Sequence, residues 1–141
     1  MQLSKFSFGL GDRFAHQGVA QLRAIMKANE KGLDISPVWN KSNREHHYVH
    51  TEPASVRTEA DGAVQKLGFE GKYFVDADHI NLSTVAPFVA HSDFFTLDVA
   101  AFIGKPAAEE EINTFVDSCQ KYVGELQVPG IAEPLHVTNE L

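Results

Sequence analysis

The chain has 141 residues, 43% hydrophobic and 22% charged, the balance of a globular protein and too apolar for a disordered or fibrous one. Its formal charge of -7 excludes a general binder of phosphate backbones, which needs a basic face, so no nucleic-acid partner is expected. An anionic small molecule stays open, because a few cations at one mouth reverse the local potential whatever the net charge.

The first strand is read at Lys5 to Phe8. Gly9-Leu10-Gly11-Asp12-Arg13 follows. It is either a loop that brings backbone to a ligand while Arg13 offers paired donors to a carboxylate, or a tight turn with a surface Asp-Arg pair. It is no dinucleotide fingerprint, for the third glycine is wanting. A helix is predicted over Gly18 to Asn29, with Val19, Leu22, Ile25 and Met26 on one face. The second strand is Ile35 to Trp39, and polar Asn40, Lys41, Asn43 and Arg44 come after it. His46, His47 and His50 match no closed zinc spacing and are read as a solvated loop.

The helix Ala54 to Leu67 carries Val56, Ala60 and Val64 on its apolar side, and the third strand is Lys72 to Val75. Asp76-Ala77-Asp78-His79 follows at once. In extended chain Asp76 and Asp78 share a face, and a turn after Asp78 would gather His79 with them. Imidazole beside carboxylates suits a divalent metal and a general base, while the plain alternative is helix capping by Asp78 or Asn81. A helix over Leu82 to Val89, a strand at Phe94 to Leu97 and a last helix from Ala107 to Glu125 complete the periodic part. The tail, Val128 to Leu141, shows no period and reads as a connection.

Strands alternating with helices imply right-handed crossovers and a parallel sheet in one domain, 1–141. Two architectures fit. One is a parallel (β/α) barrel of the TIM type, of which a chain this short would hold only the first half; the other is a small doubly wound sheet. Either puts the active site at the carboxyl ends of the strands, where Lys41, Arg44 and Arg57 are the cations placed to receive an anion and Asp98 is a further site candidate. His16 and His91 are read as helix-end or surface residues, and His136 falls in the unread tail. Cys119 has no partner for a disulfide and reads as structural, and no segment has the form of a signal peptide or a membrane span. A cytoplasmic protein without membrane contact is expected.

FSFGLGDRFAHQG, SNREH with ASVRTEADGAV, KYFVDADHI and FFTLDVA, in this order, resemble the amino-terminal barrel half of the tagaturonate epimerase family over about residues 5–100. The resemblance implies a metal-dependent isomerase acting on a keto-hexuronate, a small sugar acid, with Asp78 as proton acceptor and His79 as ligand of a divalent metal cation. It also implies that the GDR and NRE segments line a substrate pocket. Gly11, Asp12, Arg13, Asn40, Arg44 and Asp76 are accordingly the candidate substrate contacts. Further metal ligands and a proton donor would lie in the later barrel half. Tagaturonate and fructuronate differ at a carbon not adjacent to the ketone, so simple enolisation cannot interconvert them and retro-aldol cleavage is the expected route. Three other readings remain: a different metal-dependent sugar isomerase or aldolase; a half-barrel that self-associates through its open sheet edges; and a non-catalytic binding module in which Asp76 and Asp78 are caps.

Overall fold

The computed structural model describes residues 4–138. Met1 to Leu3, part of the segment read for a leader, and the last three residues of the tail lie outside them. The chain divides into two compact units, 1–101 and 102–141.

The first unit contains a four-stranded parallel sheet with β1 (Phe6–Gly11), β2 (Ile35–Ser42), β3 (Phe74–Ile80) and β4 (Phe94–Leu97) in sequential order. No reversal of strand order occurs among them. Between the strands stand α1 (Gly18–Glu30), then α2 (Asn43–Val49) and α3 (Ala54–Leu67). The first three strands run further than their apolar runs suggest. Gly9 to Gly11 and the Asp-Ala-Asp-His motif are strand, held by parallel ladders that pair Gly11 with Asn40, Asn40 with Asp76 and Ser42 with Asp78. Pro37 is tolerated in β2 because its stretch pairs only with β1; the ladder to β3 begins at Val38, so the missing N–H breaks no bond there.

Alternation decides the faces. Leu10, Trp39 and Val75 are register partners and pack with Leu22 and Ile25 of α1 and Val56, Ala60 and Ala63 of α3 in one core. Both long helices thus cover the same face. Their close approach depends on Gly18, where a β-carbon would meet the Glu59 carboxylate at 2.7 Å. That carboxylate accepts the Gly18 N–H, while Asp12 accepts those of His16 and Gln17, so the orphan amides opening α1 are capped from a distance. Gly68 closes α3 in the left-handed region.

Two expectations are corrected in this unit. The segment Leu82 to Val89 holds only a short 3-10 turn, Ala86–Phe88, with Pro87 inside it; Asn81 and Thr84 tie the chain before it into side-chain turns that compete with a helix. The triple-histidine segment is not a loop but α2 and its cap. His46 is buried, and His50 closes the helix in the left-handed region. Ser42 and Glu45 form the capping box that starts it.

The second unit holds α4 (Glu109–Cys119), a 3-10 turn (Gln120–Tyr122) and an antiparallel pair, β5 (Gly124–Leu126) and β6 (Leu135–Val137). The expected helix to Glu125 therefore stops at Cys119, and Gly124, with φ of 108°, begins a strand instead. The tail read as a connection contains β6 and His136. Among the described residues no helix is long and apolar enough to cross a membrane.

Candidate functional site

A cavity of about 250 Å³ lies at the carboxyl ends of the strands, lined by Arg13, Ser42, Arg44, Glu45, Asp78, His79 and Asp98. Each wall follows from the strand before it. β1 delivers Arg13 two residues past its end, β2 runs into the α2 capping box, β3 ends in the Asp-His pair, and β4 is followed directly by Asp98.

The Asp-His wall is shaped by a β-bulge. The ladder between β3 and β4 pairs Ala77 with Phe95 but Ile80 with Leu97, so β3 carries one extra residue. His79 absorbs it in the left-handed region at φ 50°, a conformation histidine adopts more readily than most residues. Two side chains that alternation would send to opposite faces meet instead. His79 Nδ1 stands 2.8 Å from Asp78 Oδ1. Ile80 is returned to a small core with Ala77 and Phe88.

Asp76 and Asp78 share a face but not an environment. Asp76 is 7% exposed, and its two oxygens accept from the Thr96 N–H at 3.1 Å and the Thr96 hydroxyl at 2.7 Å. Burial raises its pKa, with the charge of Asp78 adding to the rise and the Thr96 bonds opposing it. Its partners are protein groups, and it is not a wall of the cavity.

Arg13 faces Glu45 at 3.7 Å across the rim. Burial works to raise the Glu45 pKa, but the Ser42 N–H and hydroxyl, Arg13 and Lys41 together carry it below the ordinary value. Asp12 behaves similarly. Burial opposes its charge, and N–H groups of His16, Gln17 and Phe14 outweigh that and lower its pKa. Asp12 thus shapes the loop that presents Arg13. Gly11 and Asn40 lie beneath. The Asn40 amide would crowd a β-carbon on Gly11 at 3.2 Å, so glycine there makes room for it.

Two expected cations are engaged elsewhere. Arg57 donates to the His91 carbonyl and pairs with Asp93 at 2.6 Å, and Asp93 also accepts the Val75 N–H; Arg57 is a tie between α3 and the start of β4. Lys41 is 1% exposed on the helix-facing side of β2 and donates to Thr51. Of the expected site residues, then, Arg13, Arg44, Asp78 and His79 come together with Asp98. Gly11, Asp12, Asn40 and Asp76 are not among the lining residues: Asp12 caps the start of α1 and Asp76 is held by Thr96. Ser42 was missed, and Glu45 entered only through the NRE resemblance; the Ser-x-x-Glu spacing was the signal that would have found both.

Comparison with known proteins gives a family and a fold. The family model described as UxaE, tagaturonate epimerase, matches residues 1–127. No curated protein matches. The native crystal structure of the fructuronate-tagaturonate epimerase UxaE from Cohnella laeviribosi is similar at a TM-score of 0.62 and 20% identity, over 94% of this chain and 29% of that one. Its one-glycerol complex gives 0.60 and 19%, with the same coverage. This likeness is one of fold, and the chain spans 29% of the solved relative's length. By the family model, which covers all of the sheet and the cavity, the chain belongs to the tagaturonate epimerase family.

Proposed function

We propose that the chain forms the amino-terminal part of an epimerase that interconverts tagaturonate and fructuronate, with Asp78 as base and a divalent metal cation at His79. The observation that carries this is the Asp78–His79 contact on the wall of a cavity that Arg13 and Arg44 also line. Arginine forks suit the carboxylate of a sugar acid. The sequential strand order, with α1 and α3 on one face, supports reading the sheet as the first half of a (β/α) barrel wall.

The pair fits one metal bond. A proton on His79 Nδ1, shared with Asp78 Oδ1, leaves Nε2 as the donor to a cation, the usual arrangement of a carboxylate behind a metal-bound imidazole. No group of three or more histidine, cysteine or carboxylate ligands occurs among the described residues, so a full set needs residues besides these. A divalent cation there supplies Lewis acidity toward the substrate's oxygens.

The chain's own residues do the rest. Arg13 and Arg44 hold the substrate carboxylate and orient the sugar chain. Asp78 takes the proton of the fourth-carbon hydroxyl through Oδ2, the oxygen not engaged with His79. The bond between the third and fourth carbons then breaks, leaving an aldehyde and an enediolate. Rotation of the aldehyde and re-formation of that bond, with the proton returned from Asp78, gives the epimer.

The test is conversion of tagaturonate to fructuronate, followed by NMR, with zinc, manganese, cobalt or no added metal. Metal-dependent turnover by the chain supports the reading. Inactivity in the chain together with inactivity in a protein extended to the length of the solved relative would sink it.

A further inference from the structure

The helix-facing side of β2 takes Pro37 and Trp39 and then a lysine. Burying an ammonium costs several kcal/mol unless its donors are used, and burial accordingly pushes the Lys41 pKa down, against the raising pull of Glu45 and Asp12. Lys41 Nζ donates to Thr51 Oγ1 at 2.9 Å. An ammonium only donates, so the hydroxyl accepts there and its own hydrogen goes to His46 Nδ1, 3.0 Å away. His46 is then neutral with its proton on Nε2. Burial, followed by the charge of Lys41, pushes its pKa down to about 4. Nε2 is buried without a nitrogen or oxygen partner, and the ring packs edge-on to Phe88 at 5.6 Å, a seat for an uncharged imidazole.

One hydroxyl thus joins the end of β2, the middle of α2 and the turn after it. Between Lys41 and His46 in the chain stand Ser42 and Glu45, the capping box that forms part of the cavity wall, and Glu45 faces Arg13. We propose that Lys41 is a positioning residue for the cavity: clamped through Thr51 to His46, it fixes the Ser42–Glu45 turn so that Glu45 holds Arg13 at the rim for an acidic ligand. The charges that act on the Glu45 carboxyl are Arg13 beyond β1 and Lys41 on β2, with Asp12 acting on Lys41 from the β1 side; Arg44, Asp78, His79 and Asp98 line the same cavity. The nature of the ligand rests on the epimerase reading; the clamp does not.

The experiment compares Thr51→Val, which keeps the shape and removes the hydroxyl, with Thr51→Ser, which restores it. NMR reads the Arg13 Nε–H signal, the titration of the Glu45 carboxyl and the tautomer of His46, with backbone amides reporting the fold. Thr51→Val is expected to move the Glu45 titration upward and shift Arg13, while Thr51→Ser leaves both near the parent. A Thr51→Val protein that is folded, with His46 altered but Glu45 and Arg13 unmoved, overturns the proposal. If Thr51→Val does not fold, Thr51→Ala is read by the same signals. Turnover of tagaturonate on the same proteins should show KM raised about tenfold by Thr51→Val with kcat little changed. Inactivity of the parent together with that of the extended protein counts against the epimerase reading alone, since the NMR signals decide the clamp without it.

Discussion

Trp39 and Asn40 are neighbours in β2 and serve opposite faces of one sheet. Toward α1 and α3 the strands present Leu10, Trp39 and Val75, apolar and buried, and even the lysine on that side is sealed from water. The other face carries Gly11, Asn40, Asp76 and Asp78 in adjacent register, and its carboxyl end opens into the cavity. The first face holds the fold by area and shape; the second buries Val38 and Phe74 nearer its amino end and gives its carboxyl end to polar groups, of which Asp76 is satisfied by Thr96 while Asp78 lines the cavity. Substitutions should therefore separate cleanly into those that move stability and those that move chemistry.

The largest separation is expected at Asp78. Asp78→Asn should lower turnover by about a thousandfold, the scale of losing a general base, while the thermal midpoint and metal retention stay near the parent. An equal loss of stability would place Asp78 with the structural residues. On the covered face, Leu22→Ala should cost about 3 kcal/mol in a denaturant titration, because Leu22 is fully buried between sheet and helices. A cost near zero would mean that the helix layer is not the core.

A pH titration sharpens the same contrast. The His46 imidazole binds its proton less readily in the folded chain than in the unfolded one, where the ordinary value is 6.5. Its stabilising contribution is present above 6.5 and is lost as pH falls toward about 4, by about 3 kcal/mol. His46→Phe should flatten that part of the stability curve. The smallest effect is expected for Arg57→Met, which should lower stability by about 1 kcal/mol through its tie to Asp93 and leave KM for the sugar acid unchanged. A raised KM would return Arg57 to the substrate cations.

The sequence was most legible where a period ran long. The faces of α1 and α3 stood out because Leu22, Ile25, Val56 and Ala60 recur at helical spacing. Strand ends were harder, because Gly9 to Gly11 and Asp76 to Ile80 pair through backbone whatever their side chains; the glycine stretch was read as a loop or turn, and the apolar run alone did not show that β3 continues to Ile80. Asp78 and His79 could be singled out by residue type, but not their contact, which depends on a bulge set by the neighbouring strand. Arg57 and Lys41 were misjudged for a related reason. Charge is visible in sequence, and the partner that occupies it, Asp93 or Thr51, comes from a distant turn.

The bulge at His79 has a consequence for motion. Two side chains contributed by separate loops would drift apart whenever either loop moved. Here they are consecutive residues on a strand that is hydrogen-bonded again at once, where Ile80 accepts from Asp98. Only one peptide unit separates their α-carbons, so a movement of the arginine-bearing rim would alter access to the cavity while Asp78 and His79 keep their backbone spacing. The pair travels as one piece.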